Sequence, residues 1–119
     1  MAAHNELGKK GEQLAIDFLL KNGYTIRDTN WRYLKAEVDI IAEKEGVLAV
    51  VEVKTRSSID FGNPQDFVNP KKIKLLVMAI DHYVNSKDLD IEVRFDIIAI
   101  VTKNGKFTIE HLEDAFYHF

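Results

Sequence analysis

The sequence predicts an α/β fold in which a mixed β-sheet carries helices on its faces. Residues 5–22 and 69–84 repeat apolar side chains at the spacing of an amphipathic helix. The segments between and after them are short apolar runs bounded by turn residues, which is typical of strands. In chain order these segments read α-β-β-β-α-β, and a β-meander edged by helices indicates helices packed against the sheet.

Length and composition predict one domain that spans residues 1–119. The chain has 119 residues and 46% hydrophobic content, enough to bury a sizeable core. It has no cysteine, which excludes disulfides and thiolate zinc sites and fits a reducing compartment. The longest apolar runs are too short to span a bilayer, and the first residues lack the basic and apolar segments of a secretory signal. We therefore expect a cytoplasmic protein with no membrane partner.

The first two elements are a helix and a strand. Asn5 is a candidate N-cap for the helix, which Asn22 and Gly23 would end. The apolar stripe of this helix comprises Leu7, Gly11, Leu14, Ala15, Phe18 and Leu19. The strand covers about residues 24–32, where apolar and polar side chains alternate around Ile26.

The next two strands form a hairpin whose register follows from its turn. Residues 37–43 and 47–54 flank Lys44-Glu45-Gly46, a tight turn in which glycine supplies a positive φ. With Glu45 and Gly46 as the loop, Lys44 pairs with Val47. Counting back along both strands places Asp39 opposite Glu52.

The hairpin carries three charges that folding does not require. Alternation along the strand puts Glu52 and Lys54 on the same face as Asp39, with Val51 and Val53 on the other face. Like charges directly opposite each other on a sheet cost roughly 0.2–1 kcal/mol. A divalent cation between the two carboxylates would remove this penalty.

The remaining elements follow in order. Residues 55–69, with Gly62 and Pro64, form a loop long enough to indicate a functional role. Asn69-Pro70 predicts the start of a second helix. The buried stripe of that helix comprises Ile73, Leu76, Val77, Ile80 and Val84. Residues 91–101 read as a buried strand, 104–105 as a turn, 107–109 as a short edge strand and 111–119 as a short helix.

Seven spaced motifs resemble a known family. They run nearly the full length of the chain: Gly8-x-x-Gly11-Glu12, Gly23-Tyr24, Asn30-x-Arg32, Glu37-Val38-Asp39-Ile40-Ile41-Ala42, Val51-Glu52-Val53-Lys54-x-Arg56, Phe61-Gly62-x-Pro64 and Arg94-Phe95-Asp96. The chain is identified as a member of the YraN family of the PD-(D/E)xK, or restriction-endonuclease-like, superfamily. This family is similar to archaeal Holliday-junction resolvases. Val38 stands where the superfamily motif has proline.

The resemblance implies a restriction-endonuclease-like core and a metal-dependent DNA endonuclease. It assigns Asp39 as the central metal ligand, Glu52 as a second ligand and the Val53 carbonyl as a third. Glu12 on the first helix would complete the metal site, and Lys54 would orient the attacking water and stabilise negative charge. The expected ion is Mg²⁺, with Mn²⁺ as a substitute, because all the ligands are oxygen atoms.

The resemblance also implies a DNA partner, with branched DNA as a candidate, and suggests a homodimer. Arg32, Arg56, Gln65 and Lys72 are the candidate nucleic-acid contacts. The net charge of −3 argues against a protein whose whole surface follows nucleic acid. The first 74 residues nevertheless hold 12 Lys and Arg against 11 Asp and Glu. If three of those acids bind metal, the surrounding surface is basic.

Each assignment has a structural alternative. Glu52 and Lys54 could form an ion pair at an exposed strand end, and Glu12 could lie on a solvated helix face. Glu37 could reach the cleft or pair with Lys54 or Lys35. Charged side chains at a helix start, including Lys72, are usually solvated.

Two further residues read as structural. We expect core packing for Trp31, although it and Tyr33, both next to Arg32, could instead stack on bases. We expect Asp96 to pair with Arg94 or a backbone N–H. At the level of the whole protein, the alternatives are a non-catalytic nucleic-acid-binding or scaffolding module and a domain that binds only proteins.

Overall fold

The computed structural model describes residues 2–57 and 69–115, with side chains from Leu7 onward. The predicted order of helices and strands is confirmed, including the edge strand at the end. The elements are α1 (Ala2–Lys21), β1 (Thr25–Tyr33), β2 (Ala36–Lys44), β3 (Val47–Ser57), α2 (Pro70–Ser86), β4 (Glu92–Lys103) and β5 (Lys106–Leu112). In the described ranges, neither helix has the length and apolar character needed to cross a membrane.

The five strands form one mixed sheet in the order β1-β2-β3-β4-β5. Neighbouring strands are antiparallel except β3 and β4, which are parallel and are joined through α2. A parallel pair needs a crossover connection, and a helix supplies it here. The predicted α/β class is therefore confirmed, and the arrangement is consistent with a restriction-endonuclease-like core.

Each face of the sheet is covered by one helix. Under α2, the buried Leu76 and Ile80 pack with Val50 of β3. On the opposite face, Leu19 of α1 packs with Val51 of β3. Consecutive residues of β3 thus enter different apolar layers, as strand alternation requires. The sequence-predicted stripes of both helices are the stripes that face the sheet.

Two predicted boundaries are wrong. Helix α1 begins at Ala2, so Asn5 lies inside the helix and does not cap it. Strand β3 continues to Ser57, so residues 55–57 are not part of the loop. The extension exists because β4 pairs with β3 as far as Ser57 opposite Thr102. Gly62 and Pro64 lie outside the described residues.

The predicted C-terminal helix is wrong as far as residue 115. Strand β5 includes His111 and Leu112, which pair with Ile98 and Ile97 of β4. The predicted edge strand is therefore longer than residues 107–109, because β4 offers it partners from Ile97 to Lys103. The last four residues of the predicted helix lie outside the described residues.

Asp96 is structural, as predicted. It is fully buried in β4 and accepts two hydrogen bonds of 2.8 Å from the guanidinium of Arg94. The backbone N–H of Asp114 donates a third bond at 3.0 Å, and His111 Nε2 lies 2.8 Å away. Burial alone would raise the pKa of Asp96, but the bonds from His111, Arg94 and Asp114 outweigh it and lower the pKa.

We expect Asp96→Asn to reduce the free energy of unfolding at pH 7 by about 3 kcal/mol, because Arg94 loses its buried counter-charge. Since the folded-state pKa is lowered, the carboxylate stabilises the fold above its ordinary pKa of 3.8. That contribution is lost as the pH falls through the lowered pKa, so the difference between variant and wild type should shrink in acid. Denaturant titrations between pH 7 and pH 2 measure it, with the exposed Asp90→Asn as control. Equal stability at pH 7 would contradict the prediction.

Candidate active site

The hairpin between β2 and β3 separates where the predicted site begins. Its ladder runs from Lys44 opposite Val47 to Ile40 opposite Val51, which confirms the predicted register. The next pair along would be Asp39 and Glu52, but the ladder ends before it. Beyond this point β2 remains paired with β1, and β3 remains paired with β4. The two strands therefore diverge at the carboxylates.

Asp39 holds the point of divergence. Its Oδ2 accepts a hydrogen bond of 2.8 Å from the backbone N–H of Val53, a donor that a continued ladder would have given to a β2 carbonyl. The side chain of Val53 packs against the apolar layer under α1, as its predicted face requires. Burial raises the pKa of Asp39, although the Val53 bond and the nearby lysines act in the other direction.

Glu52 is the more buried of the two carboxylates, with 2% of its surface exposed. Lys72 Nζ lies 2.8 Å from its Oε2. The other oxygen, Oε1, is buried and finds no hydrogen-bond donor among the described residues. Burial raises the pKa of Glu52, and the charge of Asp39 raises it further. The site therefore holds one buried and one half-buried carboxylate, and the negative charge of each disfavours ionisation of the other.

Two lysines share the site. Burial lowers the pKa of Lys54, and the neighbouring charge of Lys72 lowers it further. Burial also acts against charge on Lys72, but its hydrogen bond to Glu52 outweighs this and raises the pKa. Lys72 is placed by the start of α2, where Asn69 Oδ1 accepts the Lys72 backbone N–H at 2.8 Å. Of the two lysines, Lys54 is thus the one that loses its proton more readily.

Glu12 faces the cleft from α1. Its Oε1 accepts a hydrogen bond of 2.6 Å from Asn30 Nδ2. Burial raises the pKa of Glu12; the Asn30 bond lowers it, and the charges of Asp39 and Glu37 raise it. A side chain at Gly11 would clash with Thr55, so glycine allows α1 to approach β3 closely at this turn. The predicted helical acid therefore lies within the electrostatic reach of Asp39.

The site opens to solvent through two cavities. The larger, of about 740 Å³, lies toward α1 and is lined by Leu7, Gly8, Lys9, Glu12, Asn30, Arg32, Glu37, Asp39, Val53, Lys54 and Thr55. The smaller, of about 340 Å³, lies toward α2 and is lined by Lys35, Ala36, Glu37, Asp39, Glu52, Lys72, Leu75 and Leu76. Asp39 and Glu37 border both. A ligand can therefore reach the Asp39 carboxylate from either side of the split.

The donor atoms suit a hydrated divalent ion better than a closed protein cage. No three His, Asp or Glu side chains in the described ranges come together closely enough to hold an ion by themselves. Asp39, Glu52 and the Val53 carbonyl remain as oxygen donors, while Glu12 is bonded to Asn30. Mg²⁺ usually keeps several waters and takes only one or two carboxylates. The buried, unpaired Oε1 of Glu52 fits such a ligand.

The predicted nucleic-acid contacts fall in different places. Arg32 is 75% exposed, lines the larger cavity and bonds Glu37 at 2.6 Å. Of the two alternatives for Glu37, the structure supports the one in which it reaches the cleft, since Glu37 lines both cavities. Its ion-pair partner is Arg32, directly across the strand pair, rather than Lys54 or Lys35. Arg56 is half-buried on β3, and Lys72 lies inside the site. Gln65 is outside the described residues.

Asn30 is a residue of the site that is not among the candidates predicted from the sequence. It sits in β1 with a φ of 50° and directs its amide to Glu12. Asparagine tolerates this left-handed conformation better than most residues. The signal in the sequence was its place in the Asn30-x-Arg32 motif. Trp31, next to it, packs against the apolar layer under α2, which confirms its predicted role.

Fold and site together define a small α/β protein with a buried carboxylate, a half-buried carboxylate and a lysine at a split in its sheet. The profile of a family described as "Uncharacterised protein family UPF0102" matches residues 11–100. The chain belongs to this family, which confirms the predicted YraN-like membership.

Relatives cover the chain from end to end. It is 65% identical over 119 residues to the UPF0102 protein of Flavobacterium psychrophilum, with all of both chains covered. It is 60% identical over 123 residues to the UPF0102 protein of Flavobacterium johnsoniae, again with all of both covered. The UPF0102 protein of Bacteroides fragilis is 52% identical over 117 residues, covering 98% of this chain and 97% of the relative.

We expect Asp39→Asn to stabilise the metal-free protein at pH 7. The change removes the repulsion of Glu52, and the amide oxygen can still accept the Val53 N–H. A gain of roughly 1 kcal/mol is typical when a destabilising functional group is neutralised. Denaturant unfolding in the presence of a chelator measures it, with the exposed Asp81→Asn as control. Lower stability of Asp39→Asn would show that the two carboxylates do not oppose each other.

Proposed function

We propose that the protein is a divalent-metal-dependent endonuclease that hydrolyses phosphodiester bonds in DNA. The observation that carries the proposal is a pair of carboxylates, the half-buried Asp39 and the buried Glu52, held where β2 and β3 separate, with Lys54 beside them in an open cleft. Such a pair weakens the fold, which is expected of a site kept for function. The two negatively charged carboxylates are the type of ligand that a hard cation requires.

The residues of the chain have distinct roles in this proposal. Asp39, Glu52 and the Val53 carbonyl hold the ion, and Glu12 helps to complete its surroundings from α1. When bound, Mg²⁺, or Mn²⁺ in its place, supplies Lewis-acid stabilisation of the phosphoryl oxygens and favours hydroxide as nucleophile. The Lys54 ammonium orients the attacking water and stabilises the negative charge that develops on the phosphate.

The substrate contacts would come from the basic side chains around the cleft. Arg32 borders the larger cavity, and its exposed guanidinium can leave Glu37 for a phosphate at little cost. Arg56, Gln65 and Lys72 are the other candidates. Contacts of this kind position a nucleic acid without reading its sequence.

Superfamily membership and substrate shape rest on the motif resemblance. The spacing of Asp39, Glu52 and Lys54 resembles the PD-(D/E)xK pattern, and the whole chain resembles the YraN family. Similarity to archaeal Holliday-junction resolvases makes branched DNA the leading substrate. A resolvase cuts two opposed strands, so this reading also implies a homodimer.

A second candidate is a nucleic-acid-binding or scaffolding module without catalysis. The observation that favours it is the Lys72 ammonium, which occupies one oxygen of Glu52 at 2.8 Å. An internal cation can balance a buried carboxylate without metal. Under this alternative the cleft would bind DNA with strong salt dependence and no turnover.

We expect cleavage of DNA that requires Mg²⁺ or Mn²⁺ and is abolished by a chelator. The substrates are linear duplex, single-stranded, flap and four-way junction DNA, each labelled at one end. Asp39→Asn and Lys54→Ala should each lower the rate by at least about 100-fold, the usual cost of losing a group that stabilises the transition state. Lys74→Ala, an exposed lysine on α2, is the matched control and should leave the rate unchanged.

Two results would overturn the nuclease proposal. One is no cleavage of any substrate with either ion. The other is equal cleavage by wild type, Asp39→Asn and Lys54→Ala, which would indicate a contaminating nuclease. Binding that weakens steeply with salt, without turnover, would support the non-catalytic module.

A further inference from the structure

An apolar cavity lies next to the candidate active site. It has a volume of about 400 Å³ and is lined by Tyr33, Leu34, Lys35, Ala36, Leu75 and Met78. Its volume falls in the range of small-molecule sites, about 300–1,000 Å³. Three large apolar side chains are exposed in the described part of the chain, and Leu34 and Met78, at 77% and 50%, both border this cavity. The exposed apolar surface is therefore concentrated here.

Leu34 is a poor residue for folding at its position. It occupies the two-residue turn between Tyr33 and Ala36, which pair with each other, and it has a φ of 55°. The left-handed conformation is costly for a leucine, whereas asparagine or glycine adopts it readily. Because the side chain is mostly exposed, no core burial compensates for the strain. Strain without a gain in packing indicates a functional role.

The apolar cavity adjoins the cleft. Lys35, Ala36 and Leu75 line both this cavity and the smaller cavity that contains Glu52 and Lys72. A molecule that extends across both would place an apolar part at Leu34 and Met78. At the shared boundary, the Lys35 ammonium can hold an anionic part. Nucleotides combine a flat apolar base with a phosphate in this way.

Tyr33 gives the cavity one aromatic wall. Its ring stacks on His82 with centroids 4.1 Å apart. The Tyr33 and Trp31 rings are also nearly parallel, at 6° and 6.2 Å. These contacts fix the Tyr33 ring, so a ligand that packs against it loses little protein entropy. Aromatic side chains are common partners of unpaired bases.

We propose that this cavity binds one unpaired nucleobase of a strand whose phosphates lie in the active-site cleft. The inference rests on the proposed function and names its substrate class: nucleic acid with an unpaired base beside the phosphate that is cut. A paired base keeps both faces stacked inside the duplex and cannot enter. The apolar cavity therefore selects for flaps, bulges, junctions or single strands over intact duplex.

The experiment measures binding in a chelator, so that it does not depend on cleavage. The probes are two fluorescein-labelled oligonucleotide duplexes that differ only in one base, 2-aminopurine, which is either paired or left unpaired as a bulge. Anisotropy gives affinity, and 2-aminopurine fluorescence reports whether the base changes its surroundings. Wild type should bind the bulged probe about tenfold more tightly, with a clear change in 2-aminopurine emission.

Two variants and a matched control test the cavity itself. Leu34→Asn removes the apolar side chain while suiting the left-handed turn, so it should fold at least as stably as wild type. Leu34→Asn and Met78→Gln should each weaken binding of the bulged probe about fivefold and leave the paired probe unchanged. The control is Leu20→Gln, since Leu20 is the third exposed apolar side chain and lies on α1, away from the cavity. It should change the binding of neither probe.

Several outcomes would overturn the inference. These are equal affinity for both probes, no response of 2-aminopurine, variants that behave as the Leu20 control does, or no binding of either probe. Sedimentation showing that Leu34→Asn dissociates a dimer instead would identify the patch as a surface between two copies. A preference for the bulged probe without metal-dependent cleavage would contradict the nuclease proposal but not this inference. Metal-dependent cleavage without such a preference would contradict this inference but not the nuclease proposal.

Discussion

The hydrogen bond from the Val53 N–H to the Asp39 carboxylate is the interaction on which the rest of the site depends. In a continued ladder a β2 carbonyl would accept the Val53 N–H, and here the Asp39 carboxylate accepts it instead. The sheet can therefore split without leaving a buried backbone N–H unpaired. The split creates the space between β2 and β3 into which Glu52, Lys54 and Lys72 project. Without that bond, either the ladder would continue and close the cleft, or a backbone donor would be lost.

The charges around the split come from four different elements. Carboxylates come from β2 and β3, a cation comes from the start of α2, and a further acid comes from α1. Because the balance depends on tertiary contacts, it exists only when both helices are docked on the sheet. The buried Asp96 offers a contrast, since arginine, histidine and backbone donors satisfy it fully. The site, by comparison, leaves one oxygen of Glu52 without a hydrogen-bond donor among residues 7–57 and 69–115, so this oxygen can accept a bond from a ligand.

Local physics explains what the sequence could predict and what it could not. The register of the β2–β3 hairpin followed from one turn, because Gly46 fixes the two-residue loop. Counting residues from that turn then placed Asp39 and Glu52 at the same level of the two strands. The contact between Lys72 and Glu52 joins residues 20 positions apart through the docking of α2, so no local pattern encodes it. The extension of β3 past Lys54 likewise depends on β4, whose length sets how far the pairing continues. Asn30 could be associated with the site only through a motif, because its contact with Glu12 requires α1 and β1 to be in place.

The parallel pairing of β3 with β4 also bears on the order in which the chain folds. The β2–β3 hairpin joins close neighbours in sequence, whereas β3 and β4 pair residues about 45 positions apart and require α2 to cross over first. Contacts between distant segments form late because the loop must close before they contribute. The two carboxylates are therefore brought together by a fast local step, while Lys72 arrives with the slow one. Until α2 docks, Lys54 on the hairpin itself is the lysine that offsets these carboxylates, and solvent cations can supply the rest of the counter-charge that Lys72 later provides.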